Sequence, residues 1–132
     1  WDSLKVMYAG VSKLSRALAG ATDSSRPPAE CLRVAWVEYM AFLSVVEDRR
    51  AFPPTKLMEA IDRLFEDART ALYAIGDYWK PTRRDEPVDD QIKLQEEKRK
   101  AFRTIREGIP AIRAEIERNI RRILQTEQIS WC

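Results

Sequence analysis

The sequence contains no histidine, four glycines and two cysteines in 132 residues. Without histidine the chain has no Ser-His or Cys-His catalytic pair, no histidine metal ligand and no Glu-x-x-His di-iron motif. Cys31 and Cys132 lie far apart, so a disulfide framework has no support. Two free thiols favour a reducing compartment, and therefore a cytoplasmic location.

Long apolar runs are also missing. No stretch approaches the ~20 residues that cross a bilayer, so we expect no membrane span within the segment. The near balance of charges, a net +2, gives no field that would attract nucleic acid, and no nucleic-acid partner is expected. Because the chain begins at Trp1 rather than Met, we interpret it as a processed or excised fragment, and a membrane anchor upstream of Trp1 is one hypothesis.

Prolines and glycines divide the chain into segments whose apolar residues recur at helical spacing. No segment shows the alternation typical of a strand. The sequence therefore predicts one all-α domain, an up-down-up-down four-helix bundle with a long, kinked C-terminal helix. We expect the second helix to be the most buried, since Val34, Val37, Met40 and Phe42 widen its apolar face. The predicted helices cover approximately residues 3–19, 27–50, 54–79 and 88–128, with the kink near 108–110.

Carboxylates offer the remaining route to catalysis. Glu59, Asp62 and Glu66 line one side of the third helix and could hold Mg²⁺, as paired acidic motifs do in helical hydrolases. A matching pair on a facing helix is needed, but Glu96 and Glu97 are sequence neighbours and point about 100° apart. We therefore predict no catalytic residue, metal site or cofactor, and a carboxylate-metal hydrolase is the third hypothesis for function.

The basic run from Lys93 to Arg122 could contact phosphate or acidic lipid, but its geometry favours ion pairs within the chain. Five of its arginines, namely Arg99, Arg103, Arg106, Arg113 and Arg121, fall on one flank of the last helix, and the third helix carries Glu59, Asp62 and Glu66 on the flank of the same sign. Such flanks meet when neighbouring helices are antiparallel. The sequence predicts a ladder of ion pairs that joins Glu59, Asp62 and Glu66 to Arg99, Arg103 and Arg106.

Aromatic residues gather near the end of the third helix, where Tyr73, Tyr78 and Trp79 precede Arg83. Such residues usually cover one end of a bundle with large apolar area. They could also bind a planar or anionic ligand by stacking and cation contact. The alternative hypothesis for function is accordingly a ligand-sensing bundle from a membrane-anchored receptor or regulator, with these four residues as its ligand end.

A row of isoleucines continues to the end of the chain. Counting outward from a loop centre near Arg84 places Pro54 opposite about residue 113, so roughly 15 residues, about 22 Å, should extend beyond the third helix. A fold-back at Gly108–Pro110, residues upstream of Trp1 or another molecule could cover the row, because leaving it in water is unfavourable. We expect a non-catalytic interaction or scaffolding module, either a homo-oligomer or bound to a helical protein partner. The predicted contact residues are Ile112, Ile116, Ile120, Ile123 and Leu124.

Overall fold

The structure is a computed structural model that describes residues 2–22, 28–50, 54–79 and 88–130, with side chains for 4–22, 29–50, 54–79 and 88–125. These residues are all-α, and none of them forms a strand. No described helix is both long enough and apolar enough to cross a membrane. The helices are α1 (Asp2–Ala21), α2 (Pro28–Arg49), α3 (Thr55–Tyr78), α4 (Val88–Arg103) and α5 (Ile109–Ser130), with a π-helical turn at Thr104–Gly108 between the last two.

Local chemistry explains where these helices begin and end. Pro28 is the first residue of α2, a position where the missing N–H of proline costs nothing. Pro54 precedes α3 in an extended conformation, and its carbonyl accepts the first helical bond from the Met58 N–H. At the end of α1, the Thr22 hydroxyl donates to the Ala19 carbonyl at 2.8 Å and so satisfies one of the carbonyls left free there.

The core contains side chains from every helix, and α3 contributes the most buried residues. Within this core, aromatic rings connect α2 to α3. The Tyr39 ring meets the Phe65 ring edge to face at 5.5 Å, and Phe42 lies 5.0 Å from the same ring. The largest fully buried side chains are Met7, Val11, Leu14, Leu18, Val46, Leu57, Ile61, Leu64, Leu72, Ile75, Ile109 and Ile116.

Helices α2 and α3 run in opposite directions. Arg50, directly after the end of α2, bonds Asp62 near the start of α3, whereas the Trp36 ring near the start of α2 contacts the edge of the Tyr73 ring near the end of α3. This is the pattern expected of antiparallel neighbours in a bundle. The complete up-down-up-down order and the angle of the kink remain predictions.

The last helix is interrupted at the place where the sequence suggested a kink. Pro110 has no N–H to donate to the carbonyl four residues earlier, and its ring crowds that carbonyl. The chain accommodates it with one wide turn, Thr104–Gly108, and the Ile109 N–H donates to the Thr104 carbonyl five residues back. A wide turn keeps residues four apart in line, so that Ala101, Ile105 and Ile109 all remain buried on one face.

The predicted register between the third and last helices is wrong. Pro54 lines one groove with Asn119 and Ile123, which are six and ten residues further along than position 113. At the other end, the Lys98 ammonium stands over the Tyr78 ring at the close of α3. Residues 88–93 at the start of α4 are all exposed, whereas Glu97 already lines a groove with Ala74 and Asp77 of α3.

Candidate interaction surface

The isoleucine row of α5 is covered by the chain's own helices. Ile116 has no exposed surface, and Ile112 and Ile120 are also buried. Ile123 and Leu124 are half-buried and pack against the same core. The sequence predicted an overhang that would leave this row uncovered. No such overhang occurs up to residue 124, because the start of α3 lies near Ile123. The row therefore offers no exposed side chain to a partner up to that residue.

The aromatic residues at the end of α3 divide between two sites. Tyr78 and Trp79 meet edge to face at 5.0 Å, and the Lys98 ammonium lies 3.9 Å from the centre of the Tyr78 ring and 5.6 Å from that of Trp79. The ring of Phe102 is also 5.6 Å from this ammonium. The rings thus surround a cation from the chain itself, an arrangement that ties α4 to α3.

Tyr73 does not belong to that cluster. Its ring contacts Trp36 of α2, with centroids 5.0 Å apart, and the side chain is exposed on the other side of α3. Arg83, the fourth residue of the predicted ligand end, lies outside the described residues. The described contacts therefore do not bring the predicted ligand-binding residues together in one pocket.

The predicted ion-pair ladder is also wrong. Asp62 bonds Arg50, the residue directly after α2, at 3.1 Å, and this bond, with a second one to Glu47, raises the pKa of the arginine. The ion pair that joins α3 to α5 is Arg63–Glu115. The ladder was counted with the incorrect register and with 100° per residue throughout, but the wide turn after Arg103 changes the phase of the helix. Arg99 and Arg103 are exposed and have no ion-pair partner among the described residues.

Carboxylates do not gather into a metal site in the described part of the chain, where no group of three or more His, Cys, Asp or Glu side chains could hold an ion. Acidic residues do rim a groove of 600 Å³ between α3 and α4, whose floor is made of small side chains such as Ala74 and Ala101. Partial burial, and then the neighbouring Glu66, raise the pKa of Asp67 in this groove. Because the pKa of Asp67 is higher in the folded chain, ionisation of this carboxyl opposes folding. Its contribution to the free energy of unfolding therefore falls as the pH rises through that pKa.

Three large apolar side chains are exposed on one side of α2. Val34, Val37 and Met40 are 42%, 56% and 60% exposed. We call this surface the outer face: with the exposed Ala41 and Ser44 it forms an uncharged strip on the side of α2 opposite the buried residues Ala35, Tyr39, Phe42 and Val46. Residues 34 to 44 span about 15 Å of helix. The prediction that α2 is the most buried helix is therefore wrong for these three residues.

The reason is geometric. A helix that is apolar on all sides needs cover on all sides. Within the described part of the chain α2 packs mainly against α1 and α3, and its third side meets solvent. The sequence does contain an indication of this exposure. Val37 and Ser44, seven residues apart, lie on the same side of the helix as Glu30 before them and Asp48 after them. A strip that begins and ends in exposed charge is typical of a surface.

Next to the strip, the half-buried Trp36 ring and the exposed Tyr73 ring continue the apolar surface towards α3. Contiguous apolar area of this kind is where proteins bind other proteins, and aromatic residues and methionine are enriched in such contacts. Its chemistry is contact and desolvation, since no ionisable nucleophile or carboxylate lies within the strip.

Comparison with known proteins adds no relative from which a function could be transferred. No protein-family model, no curated protein and no solved structure matches the chain. The functional argument therefore depends on the geometry of the described residues.

Proposed function

We propose that this chain is a non-catalytic helical interaction module that binds a protein partner through the outer face of α2. The observation that carries the proposal is the exposure of Val34, Val37 and Met40 on one side of a helix whose opposite side is core. Burial of apolar surface contributes about 25 cal/mol of favourable free energy for each Å² removed from water. A complex in which a partner covers this strip is stabilised accordingly. The partner surface is placed on α2 rather than on α5, because the isoleucines of α5 are already covered.

The experiment is site-specific photo-crosslinking in cells that express the intact protein naturally. A photoreactive amino acid is placed at Val37 or at Met40, and the adducts are identified by mass spectrometry. We expect the same protein from both positions. A reactive group at Glu59, exposed on α3, is the matched control and is expected to yield none of it. Absence of any common adduct at Val37 and Met40 contradicts the proposal.

Polyanion binding along α4 is the second candidate. Arg99 and Arg103 point to solvent without an ion-pair partner among the described residues, and exposed arginines can contact phosphate. It ranks second because Glu96 and Glu107 lie beside this pair and the net charge is only +2. Binding of duplex DNA at low salt that is lost in the Arg99→Gln/Arg103→Gln variant would favour it over the first.

The ligand-sensing hypothesis has less support. Tyr78, Trp79 and Phe102 already surround Lys98, so a planar ligand that stacks on these rings has to displace an ammonium of the chain itself. Tyr73 contributes to the outer face through Trp36 rather than to these rings.

A further inference from the structure

We infer that the partner of the outer face is a second copy of this chain, bound with the two α2 helices antiparallel across a two-fold axis near Met40. The inference rests on the proposed function, which it deepens by naming the partner. Three features of α2 carry it: the spacing of two opposite charges about Met40, the absence of charge between them, and the small size of the apolar strip.

The charges at the two ends are placed symmetrically. Arg33 lies seven residues before Met40, and Glu47 lies seven residues after it. Seven residues are almost two helical turns, so each charge is about 10 Å from Met40 along the axis and within about 20° of it around the axis. All three side chains are exposed. One flank of α2 therefore presents a cation, an apolar centre and an anion at equal intervals.

Such a flank is complementary to itself. In an interface with two-fold symmetry the same patch is used by both subunits, so that it must match its own reversed copy. When α2 packs antiparallel on a second α2 with Met40 opposite Met40, Arg33 of each copy is level with Glu47 of the other. A parallel arrangement would instead place Arg33 against Arg33 and Glu47 against Glu47. Charge therefore selects the antiparallel one.

The two charges are available for this contact. Arg33 has no ion-pair or hydrogen-bond partner among the described residues. Glu47 accepts a bond from Arg50 through Oε1 only, at 3.0 Å, on the exposed side of the helix. A carboxylate accepts several hydrogen bonds, so Oε2 can receive the guanidinium of a second copy.

The centre of the strip suits close contact between two helices. Between Arg33 and Glu47 the outer face carries Val34, Val37, Met40, Ala41 and Ser44, none of them charged. No like charges are therefore brought together at the axis. On the Met40 side, Trp36 and the exposed Tyr73 extend the apolar contact area towards α3.

The size of the strip sets the strength that we expect. Stable interfaces bury about 1,200–2,000 Å² in total, and smaller ones belong to weak, reversible complexes. Three large apolar side chains and two flanking rings on each copy fall towards the lower end. The dimer should therefore dissociate on dilution within a range of about 1 μM to about 1 mM.

Sedimentation velocity over this range tests the inference with the full chain. We expect the wild type to pass from monomer to dimer as its concentration rises, and Met40→Lys to stay monomeric because it opposes two lysines at the axis. Arg33→Glu and Glu47→Arg should each weaken the dimer by about tenfold, since each loses two exposed ion pairs and gains two like-charge contacts. The double variant Arg33→Glu/Glu47→Arg restores both pairs and should dimerise as the wild type does.

Arg99→Glu on α4 is the matched control, a single charge reversal away from the strip, and should leave dimerisation unchanged. A wild type that remains monomeric throughout overturns the second-copy partner, as does a dimer that Met40→Lys leaves intact or that the double variant fails to restore. Circular dichroism of each variant separates loss of dimer from loss of fold. If the photo-crosslinks from Val37 and Met40 identify a different protein, the proposed function stands and the self-association does not.

Discussion

Replacing Ile116 with lysine should unfold the chain. Ile116 has no exposed surface and lies in the middle of the row on α5 that faces the core of α1 and α3. Truncation of such a side chain to alanine costs about 2–5 kcal/mol through lost burial and the cavity left behind. A lysine there adds an unpaired charge in an apolar site. Since small domains are stable by only about 5–15 kcal/mol, the lysine variant should lose its cooperative transition.

Urea unfolding followed by far-ultraviolet circular dichroism measures this effect. Ile116→Ala should lower the free energy of unfolding by about 2–5 kcal/mol and should still unfold cooperatively. Arg118→Ala, an exposed position on the same helix, is the control and should remain within about 0.5 kcal/mol of the wild type. A folded Ile116→Lys protein with near-wild-type stability would show that the row lies on a surface and not in the core.

Alanine at Gly10 should destabilise the protein, whereas alanine at Gly20 in the same helix should stabilise it. A Cβ atom at Gly10 would stand 2.3 Å from Cδ2 and 2.7 Å from Cε2 of Phe42, closer than carbon atoms pack. The Phe42 ring is buried and lies 5.0 Å from Phe65, so it has little room to move. Overpacking of this kind costs about 1–3 kcal/mol, which exceeds the gain of up to about 1 kcal/mol from replacing a helical glycine.

The comparison with Gly20 isolates the close approach. A Cβ at Gly20 would meet nothing within 4 Å. Gly20→Ala should therefore raise the free energy of unfolding through its better helix propensity, with no cost from overpacking. The unfolding free energies of the two alanine variants should differ by about 2 kcal/mol. Phe42→Leu should reduce the cost of Gly10→Ala when the two are combined, which a double-mutant cycle measures. Equal stabilisation by both alanines would contradict the account of how α1 approaches α2.

The helices themselves could be predicted from the sequence because their signals are local. Prolines at 28 and 54, the glycines and the spacing of apolar residues act within one or two turns. The all-α class is confirmed for the described residues. Tyr39 and Phe42 are buried for the same reason: their spacing places them on one face of α2.

The register could not be predicted, because it depends on the distance between the end of α3 and the start of α4, and the sequence of residues 80–87 does not encode that distance. The wide turn at Thr104–Gly108 added a change of phase that a constant rotation per residue omits. Both errors placed an overhang at the end of the last helix, where the structure shows cover as far as residue 124. They also produced ion pairs that the described side chains do not make.

The outer face of α2 was missed for a different reason. Apolar residues occur on both sides of that helix, and periodicity alone does not say which side a neighbour covers. That depends on the number of helices available to surround it. The charges at the ends of the strip, Arg33 and Glu47, indicate the exposed side only when the buried side is already known.

Thiol labelling at two positions tests the central claim most directly, namely that α2 and not α5 presents the free apolar surface. In a chain with Cys31→Ala and Cys132→Ser, a single cysteine is placed at Val37 or at Ile116, and its labelling rate is measured as the protein is concentrated. We predict that position 116 stays protected at every concentration, whereas position 37 reacts rapidly when dilute and becomes protected as copies associate. Rapid labelling at 116 in the folded monomer, with protection at 37 under all conditions, would contradict the account.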